Sequence, residues 1–379
     1  MKLNREMEAY IRASQEELKQ LIRDLCRIPA PLGCEDARAE FCRRWFAENG
    51  AQEVYIDEAK NVICTLGDTG SNELIAFTAH TDTVFPDTEP MPFEEKDGMM
   101  YCPGVTDDTA SLAVMMICAR YLFQNGWTGD CGLIFAADSG EEGLGNLKGC
   151  RKLMENYGSR IRELITLDGT KLNSVVTEAV GSHRYRVSVR TEGGHSFGSF
   201  GKPNAIHQLS RIIDDLYAVE VPRQENSRTT YNVGVISGGT SVNTIAQYAE
   251  MYYEYRSDSL ACMQQMESMF SFIINLHRMK GVDVAVEKIG DRPCSGEVDF
   301  QRRQALIGRA EESIRGVLGM DTVFSCGSTD ANMPLSMGIP AICISVCDGG
   351  KCHTREEWLD TGSLPDGCRL LMDFLYRSK

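Results

Sequence analysis

The chain of 379 residues is long for one hydrophobic core and predicts about two domains. Its 42% hydrophobic and 25% charged residues are typical of a globular protein, and its net charge of −15 argues against nucleic acid or an anionic membrane surface as partner. Residues 1–25 mix acidic and basic side chains, and no apolar run reaches the ~20 residues of a membrane span, so we expect a cytoplasmic protein.

In chain order, the spacing of apolar residues predicts that two helices open the fold, over residues 16–28 and 35–49. Strands and helices then alternate, with strands over 53–56, 61–66, 74–79, 131–137 and 164–167 and helices over 109–123 and 146–157. The apolar run 74–79 is typical of a buried central strand. This alternation predicts an α/β fold with a mostly parallel sheet flanked by helices.

The pattern changes at about Gly181. It then predicts a strand over 183–190, a helix over 204–217, strands over 229–236 and 248–255, a helix over 263–277 and a strand over 282–286. A β-α-β-β-α-β order is typical of a ferredoxin-like domain. Alternation resumes near Cys294 and continues through the strand 341–346 to a last helix that ends near Tyr376. We therefore expect an α/β domain, residues 1–181 and 293–379, that is interrupted by an inserted α+β domain, residues 182–292.

Carboxylates and an imidazole follow predicted strands in four short segments: His80-Thr81-Asp82, Thr106-Asp107-Asp108, Glu141-Glu142 and Asp168-Gly169. A fifth segment, Cys352-His353-Thr354, brings a second imidazole after another strand. Ligands of open α/β sheets bind at the carboxyl ends of the strands. Each segment alone is more typical of a turn or a solvated surface than of a site, so it is their shared position that indicates function.

Two histidines with several carboxylates suit Zn²⁺, with Mn²⁺ or Co²⁺ as substitutes. A carboxylate has two oxygens and can bridge two cations, which together hold a nucleophilic water and a polarised carbonyl. In the Glu141-Glu142 pair, one side chain can ligate while the other takes a proton from the water.

The 15 cysteines are scattered and odd in number, which favours reduced thiols over a disulfide framework. Cys343, Cys347 and Cys352 lie close to His353 and could form a soft metal site, but they lack a second Cys/His pair at zinc-ribbon spacing. Buried strand thiols are the better interpretation. A thiol redox protein is disfavoured because the sequence has no Cys-x-x-Cys pair.

The five segments, in this order, resemble the dinuclear-zinc exopeptidase and deacylase family that includes peptidase T, acetylornithine deacetylase, succinyl-diaminopimelate desuccinylase and glutamate carboxypeptidase. The resemblance covers nearly the whole chain and also rests on Gly194-His195-Ser196 and Gly201-Lys202-Pro203-Asn204-Ala205. It implies two Zn²⁺ ions per chain, a zinc-binding catalytic domain and an inserted lid and dimerisation domain, hence a homodimer.

The resemblance also implies roles for individual residues. His80 and Asp168 would hold one zinc, Glu142 and His353 the other, and Asp107 would bridge the two ions. Glu141 would be the general base, and Asp82 would orient His80, as imidazole ligands commonly require. His195 would stabilise the oxyanion, whereas the residues alone would favour an exposed turn at 193–196. The resemblance also implies that substrate is contacted by Asn243, Arg256, Ser328, Thr329 and Asn332. An arginine at a strand end is, however, commonly part of a surface ion pair.

The aspartate at position 168 is similar to the residue of the peptidase T-like members, because the deacylases tend to have glutamate at this position. Pro103 and Thr109 stand where many relatives have Arg and Lys, which weakens the link to the deacylases. We therefore expect a metallo-aminopeptidase that cleaves short peptides with a free amino terminus, with an N-acyl-amino-acid deacylase as the alternative. An inactive peptide-binding homologue would lack the base or a ligand, and every expected position is occupied.

Overall fold

The computed structural model describes residues 3–127 and 129–378 and divides into two compact units, Met1–Ala179 with Gly296–Lys379, and Val180–Ser295. The predicted insertion, residues 182–292, lies inside the second unit.

The described residues form ten α-helices: α1 (Arg5–Ala13), α2 (Gln15–Cys26), α3 (Asp36–Glu48), α4 (Ser111–Asn125), α5 (Lys148–Tyr157), α6 (Ala205–Tyr217), α7 (Leu260–Met279), α8 (Phe300–Leu318), α9 (Asn332–Ser336) and α10 (Leu364–Arg377).

The strands of the same residues are β1 (Glu53–Ile56), β2 (Val62–Leu66), β3 (Leu74–His80), β4 (Glu94–Lys96), β5 (Met99–Tyr101), β6 (Gly132–Asp138), β7 (Ile161–Thr166), β8 (Ser174–Ala179), β9 (Gly181–Arg190), β10 (Gly194–His195), β11 (Thr229–Gly238), β12 (Thr244–Ile245), β13 (Tyr248–Ser257), β14 (Asp283–Arg292), β15 (Val323–Gly327), β16 (Ala341–Ile344), β17 (Asp348–Gly350) and β18 (Trp358–Asp360).

The first unit is built on an eight-stranded sheet in the order β1-β2-β6-β3-β7-β16-β8-β15. Its centre, β6-β3-β7-β16, is parallel. Strands β3 and β6 are buried along their whole length, because helices cover both faces of a parallel sheet. Phe77 packs on one face with residues of α4 and α10, and Ala76 packs on the other face with residues of α5. The predicted mostly parallel α/β sheet is confirmed.

The second unit has a four-stranded antiparallel sheet in the order β11-β13-β9-β14. Helix α6 follows β9 and α7 follows β13, so the chain order is β-α-β-β-α-β. In the core, the helix residues Leu209 and Phe270 pack with the strand residues Val187 and Met251. Asn204 and Ser259 cap the two helices by accepting main-chain hydrogen bonds. This is the ferredoxin-like topology that the sequence predicts.

The sequence reading is wrong in a few elements of the first unit. Three helices open the fold instead of two, since Met7 and Ile11 of α1 are buried and Asn4 caps that helix at Met7 N, 2.8 Å away. The reading also omits β8, β15 and the small sheet β17-β18-β5-β4. Strands β4, β5, β17 and β18 have three residues each, too few for a period of two to be recognised.

None of the helices in the described part of the chain combines the length and the apolar character that a membrane crossing requires.

Candidate metal centre

The central strands bring the predicted ligands of the first unit to one edge of the sheet. His80 is the last residue of β3 and pairs in register with Asp138, the last residue of β6, so the loop after β6 carries Glu141 and Glu142 beside His80. On the other side of β3, Asp168 follows β7 by two residues. The carboxyl ends of three adjacent strands thus converge, as the sequence predicts.

Asp107 lies at the middle of the cluster, and its two oxygens face different partners. Its Oδ1 is 3.0 Å from His80 Nε2, and its Oδ2 is 3.1 Å from His353 Nε2. The same His353 nitrogen is 3.1 Å from Glu142 Oε1. A carboxylate with one oxygen towards each set of ligands has the arrangement that a bridge between two cations requires.

Two groups of side chains offer ligand atoms, and within each group these atoms lie within 4.8 Å of one another. One group is His80, Asp107 and Glu142, and the other is His80, Glu141 and Asp168. Atoms bound to one tetrahedral zinc at about 2.0–2.2 Å are roughly 3.3 Å apart, so the His80 imidazole and the two carboxylates of each group are close to the spacing of a divalent cation's ligands and have the chemistry that suits one. Glu141, for which the resemblance implies the role of base, is therefore also a candidate ligand.

Asp82 organises this centre through the main chain. His80 Nδ1 is 3.0 Å from the main-chain oxygen of Asp82 and 3.7 Å from its carboxylate, so the ring is oriented mainly by the main chain. The buried Asp82 carboxylate instead accepts hydrogen bonds from the N–H groups of Gly140, Glu141 and Glu142, at 2.8, 3.1 and 2.8 Å. Asp82 therefore fixes the loop that presents both glutamates.

Asp168 is held in place by β16 and by the residue that follows this strand. The Cys343 thiol donates to the Asp168 main-chain oxygen at 3.0 Å. A Cβ on Gly169 would lie 2.7 Å from Ser345 Cβ, so only glycine allows the two segments to approach so closely. Cys343 and Cys347 are buried thiols, and the candidate metal groups of the described residues contain no cysteine.

The electrostatics of the cluster follow from several carboxylates at close quarters. Burial alone would raise the pKa of Asp107, but His353 and His80 outweigh burial and hold that pKa well below its usual range. Contacts with Asp107 and Glu142 raise the pKa of His353 to about 10. Burial, reinforced by Asp107, raises the pKa of Asp168. This concentration of negative charge favours positive charge close to Asp107.

Glu357 is a residue at this centre that the sequence reading misses. Its buried carboxylate accepts hydrogen bonds from the N–H groups of Gly104, Thr106 and Asp107, at 2.8, 2.8 and 2.9 Å. In sequence, the Glu356-Glu357 pair has the appearance of a solvated surface, so the signal is weak.

The predicted substrate residues of the first unit lie in one turn. Asn332 is buried, and its Oδ1 accepts a hydrogen bond from Thr329 N at 3.0 Å, while Ser328 is half-buried. Asn332 thus stabilises the turn itself, and contact of these residues with substrate stays a prediction.

In the second unit, β10 pairs with β12, which brings His195 beside Thr244 and places Ser196 N 2.9 Å from the Asn243 main-chain oxygen. His195 is exposed, and its Nδ1 accepts from Phe197 N and Gly198 N, both at 3.3 Å. A neutral ring that accepts at Nδ1 carries its proton on Nε2, where it can be donated to a substrate oxygen.

Arg256 belongs to a cluster of charges on the sheet of the second unit. Arg256 Nε and Arg184 Nε donate to the two oxygens of Glu254, at 3.0 and 3.2 Å. Burial, together with Arg292 and Arg256, lowers the pKa of Arg184. Arg184 and Arg256 therefore share one carboxylate.

This cluster of imidazoles and carboxylates, at the carboxyl edge of a parallel sheet, defines a metal-dependent hydrolase. Residues 76–377 match the family described as Peptidase family M20/M25/M40, and the chain belongs to that family of metallo-hydrolases.

Relatives in sequence and neighbours in structure carry the names of different activities. The chain is 24% identical over 369 residues to succinyl-diaminopimelate desuccinylase of Corynebacterium glutamicum, covering 94% of this chain and 95% of the relative. It is similar to the structure of aminopeptidase PepT from Bacillus cereus, with a TM-score of 0.75 and 23% identity over 96% of this chain and 98% of that one. It is also similar to YXEP of Bacillus subtilis, described as a dinuclear metal binding peptidase of the M20 family. The TM-score is 0.67 and the identity is 19%, over 96% of this chain and 98% of that one.

Proposed function

We propose that the protein is a zinc-dependent exopeptidase, an aminopeptidase that cleaves short peptides with a free amino terminus. The observation that carries the proposal is the geometry of Asp107, which directs Oδ1 to His80 and Oδ2 to His353. This is the arrangement of a bridging ligand. In the proposal, His80 and Asp168 hold one ion and Glu142 and His353 hold the other, as the resemblance implies.

Two zinc ions bound there, or Co²⁺ or Mn²⁺ in their place, would polarise the scissile carbonyl and acidify a water molecule. Glu141 takes the proton of that water and returns it to the leaving amine. Asp82 keeps Glu141 and Glu142 in place through their main-chain N–H groups. His195 donates from Nε2 to the oxygen that gains negative charge.

Two candidate activities differ in the end group of the substrate, which is a free amino group for an aminopeptidase and an acyl group for a deacylase. Asp168 favours the peptidase T type, as the resemblance implies. An N-acyl-amino-acid deacylase is the second candidate, because the desuccinylase relative aligns over 94% of the chain. The resemblance supports Arg256 as a contact for a carboxylate of the substrate, which both classes of substrate carry.

We place the enzyme in the cytoplasm as a homodimer acting on a small peptide or peptide-like substrate, without nucleic acid or membrane as partner. The free thiols support a reducing compartment. The net charge of −15 supports the exclusion of anionic partners.

The deciding assay compares one tripeptide with its N-acetylated form, beside N-acetyl and N-succinyl amino acids, after loading with Zn²⁺, Mn²⁺ or Co²⁺. We expect acetylation to lower kcat/KM by about 10²-fold or more, since a group built to pair an ammonium is left unpaired. Faster turnover of acyl amino acids than of any free peptide would assign the deacylase instead. Elemental analysis should find close to two metal ions per chain, and a fully active enzyme with one ion would contradict the bridge.

A further inference from the structure

The loop that ends at Asp107 is tied to the segment that follows His353. Strand β5 pairs with β18, with Tyr101 opposite Trp358. Beyond the strands, Cys102 N donates to the Glu357 main-chain oxygen at 3.3 Å, and Thr106 Oγ1 donates to the Trp358 main-chain oxygen at 2.7 Å. Two segments that are distant in sequence and carry candidate ligands are thus joined side by side.

The Glu357 side chain adds three hydrogen bonds to these connections. One oxygen, Oε2, accepts from Gly104 N, and the other, Oε1, accepts from both Thr106 N and Asp107 N. The side chain belongs to a residue that is only 1% exposed, so its carboxylate depends on these donors in place of water. Gly104 adopts a φ of 78°, and a Cβ there would lie 2.7 Å from Thr83 Cγ2, so glycine allows this turn to form.

We propose that Glu357 is a positioning residue for the bridging carboxylate. By holding the N–H of Asp107 itself and two N–H groups just before it, Glu357 fixes the direction in which the Asp107 side chain leaves the main chain. Because Glu357 is four residues after His353 (357 minus 353), the same short segment sets the place of a terminal ligand and the direction of the bridge. The inference rests on the proposed dinuclear function and adds a residue that contacts neither cation nor substrate.

The test uses three variants of the full-length protein. Glu357→Ala removes all three hydrogen bonds. Glu357→Gln keeps the size of the side chain and an amide oxygen for Thr106 N and Asp107 N, but turns an NH₂ group towards Gly104 N. Glu356→Gln is the matched control, since Glu356 is the exposed neighbour of the same residue type.

Zinc affinity is measured by competition with a chromophoric chelator, and ligand geometry by the visible absorption of the Co²⁺-loaded protein. We expect Glu357→Ala to bind zinc about 10- to 100-fold more weakly and to change the Co²⁺ spectrum, with a smaller loss for Glu357→Gln and none for Glu356→Gln. The metal-free Glu357→Gln protein should still unfold cooperatively, with a modest loss of stability because Gly104 N loses its acceptor.

Wild-type zinc affinity and Co²⁺ spectra in both Glu357 variants would overturn the positioning role while leaving the proposed function intact. A loss of metal-free stability in Glu357→Gln with an unchanged Co²⁺ spectrum would assign Glu357 a purely structural role and would also overturn the inference. If Glu357→Ala fails to fold, the Glu357→Gln result decides. A wild-type protein that does not bind two ions would instead overturn the proposed function, and the inference with it.

Discussion

Glu141 and Glu142 are adjacent carboxylates with different surroundings. Glu142 Oε1 is 3.1 Å from His353 Nε2, whereas Glu141 groups with His80 and Asp168. Asp82 anchors both main-chain N–H groups through different oxygens, so neither side chain can take the place of the other without breaking that loop.

This difference leads to a prediction that separates base from ligand. We expect Glu141→Ala to retain two metal ions while its turnover falls by at least about 10²–10⁴-fold, because the proton acceptor is lost and the ligands remain. Glu142→Ala, the neighbouring substitution, and His353→Ala should lose metal. Elemental analysis and kcat are measured on the same preparations. A Glu141→Ala protein that holds one ion would identify Glu141 as a ligand, and one with normal turnover would exclude it as the base.

At the residue scale, the sequence indicates the ligand cluster because its members follow strands whose ends must meet. His80 and Asp168 are examples, each at or just after the end of a strand with an apolar core. Glu357 is not predictable in this way, because its contact with Asp107 N spans 250 residues of sequence and depends on the small sheet that pairs β5 with β18. The preference of His80 Nδ1 for the main-chain oxygen of Asp82 likewise follows from loop geometry and not from residue type.

At the scale of elements, two helical glycines differ in what surrounds them. Gly367 in α10 lies against the segment after β16, where an added Cβ would overlap the Val346 carbonyl oxygen and lie 2.6 Å from its carbon. Gly308 in α8 has no neighbouring atom within 4 Å of an added Cβ. The first glycine is required by packing, and the second has no such requirement.

We therefore expect Gly367→Ala and Gly308→Ala to change stability in opposite directions. Overpacking should lower the free energy of unfolding of Gly367→Ala by about 2 kcal/mol or more. Gly308→Ala should gain about 0.5–1 kcal/mol, because alanine loses less conformational entropy in a helix. Urea unfolding of the metal-free proteins measures both. A neutral Gly367→Ala would show that α10 can move away from Val346 without cost.

Element prediction succeeds where burial imposes a pattern and fails where it does not. The strand β3 is recognisable because all seven of its residues are buried and six of them precede the histidine as an apolar or small run. Strand β4 is exposed at all three positions and reads as a charged loop. The first helix escapes notice because only Met7 and Ile11 of its nine residues are buried.

At the scale of the whole molecule, the two ends of the second unit lie close together. Ser182 in β9 pairs with Arg292 in β14, so the first and last strands of the insertion lie side by side. Its core is composed of its own strands and helices, including Val187 and Phe270. A self-contained β-α-β-β-α-β unit of this kind can be inserted into a loop without disturbing the surrounding sheet, which is why the change of pattern near Gly181 is visible in the sequence.

The last prediction concerns His195, which we expect to act in trans within a homodimer. The insertion is a single ferredoxin-like unit, without the additional lid material that would replace a contribution from a partner. In a two-fold dimer, each chain can lend its imidazole to the other site. His195→Ala and Glu141→Ala should each be nearly inactive. A mixed dimer of the two variants contains one site with both groups, so random exchange should restore about a quarter of wild-type activity.

The complementation distinguishes the two assignments of His195 because a histidine acting in its own chain can never meet an intact Glu141 in the mixed dimer. Subunit exchange is verified by native mass spectrometry of chains with different masses, since a dimer that does not dissociate would also restore nothing. The matched control mixes His195→Ala with Glu142→Ala, in which one site again has every group, and it should recover to the same degree. Verified exchange without recovered activity in either mixture would assign His195 to its own chain.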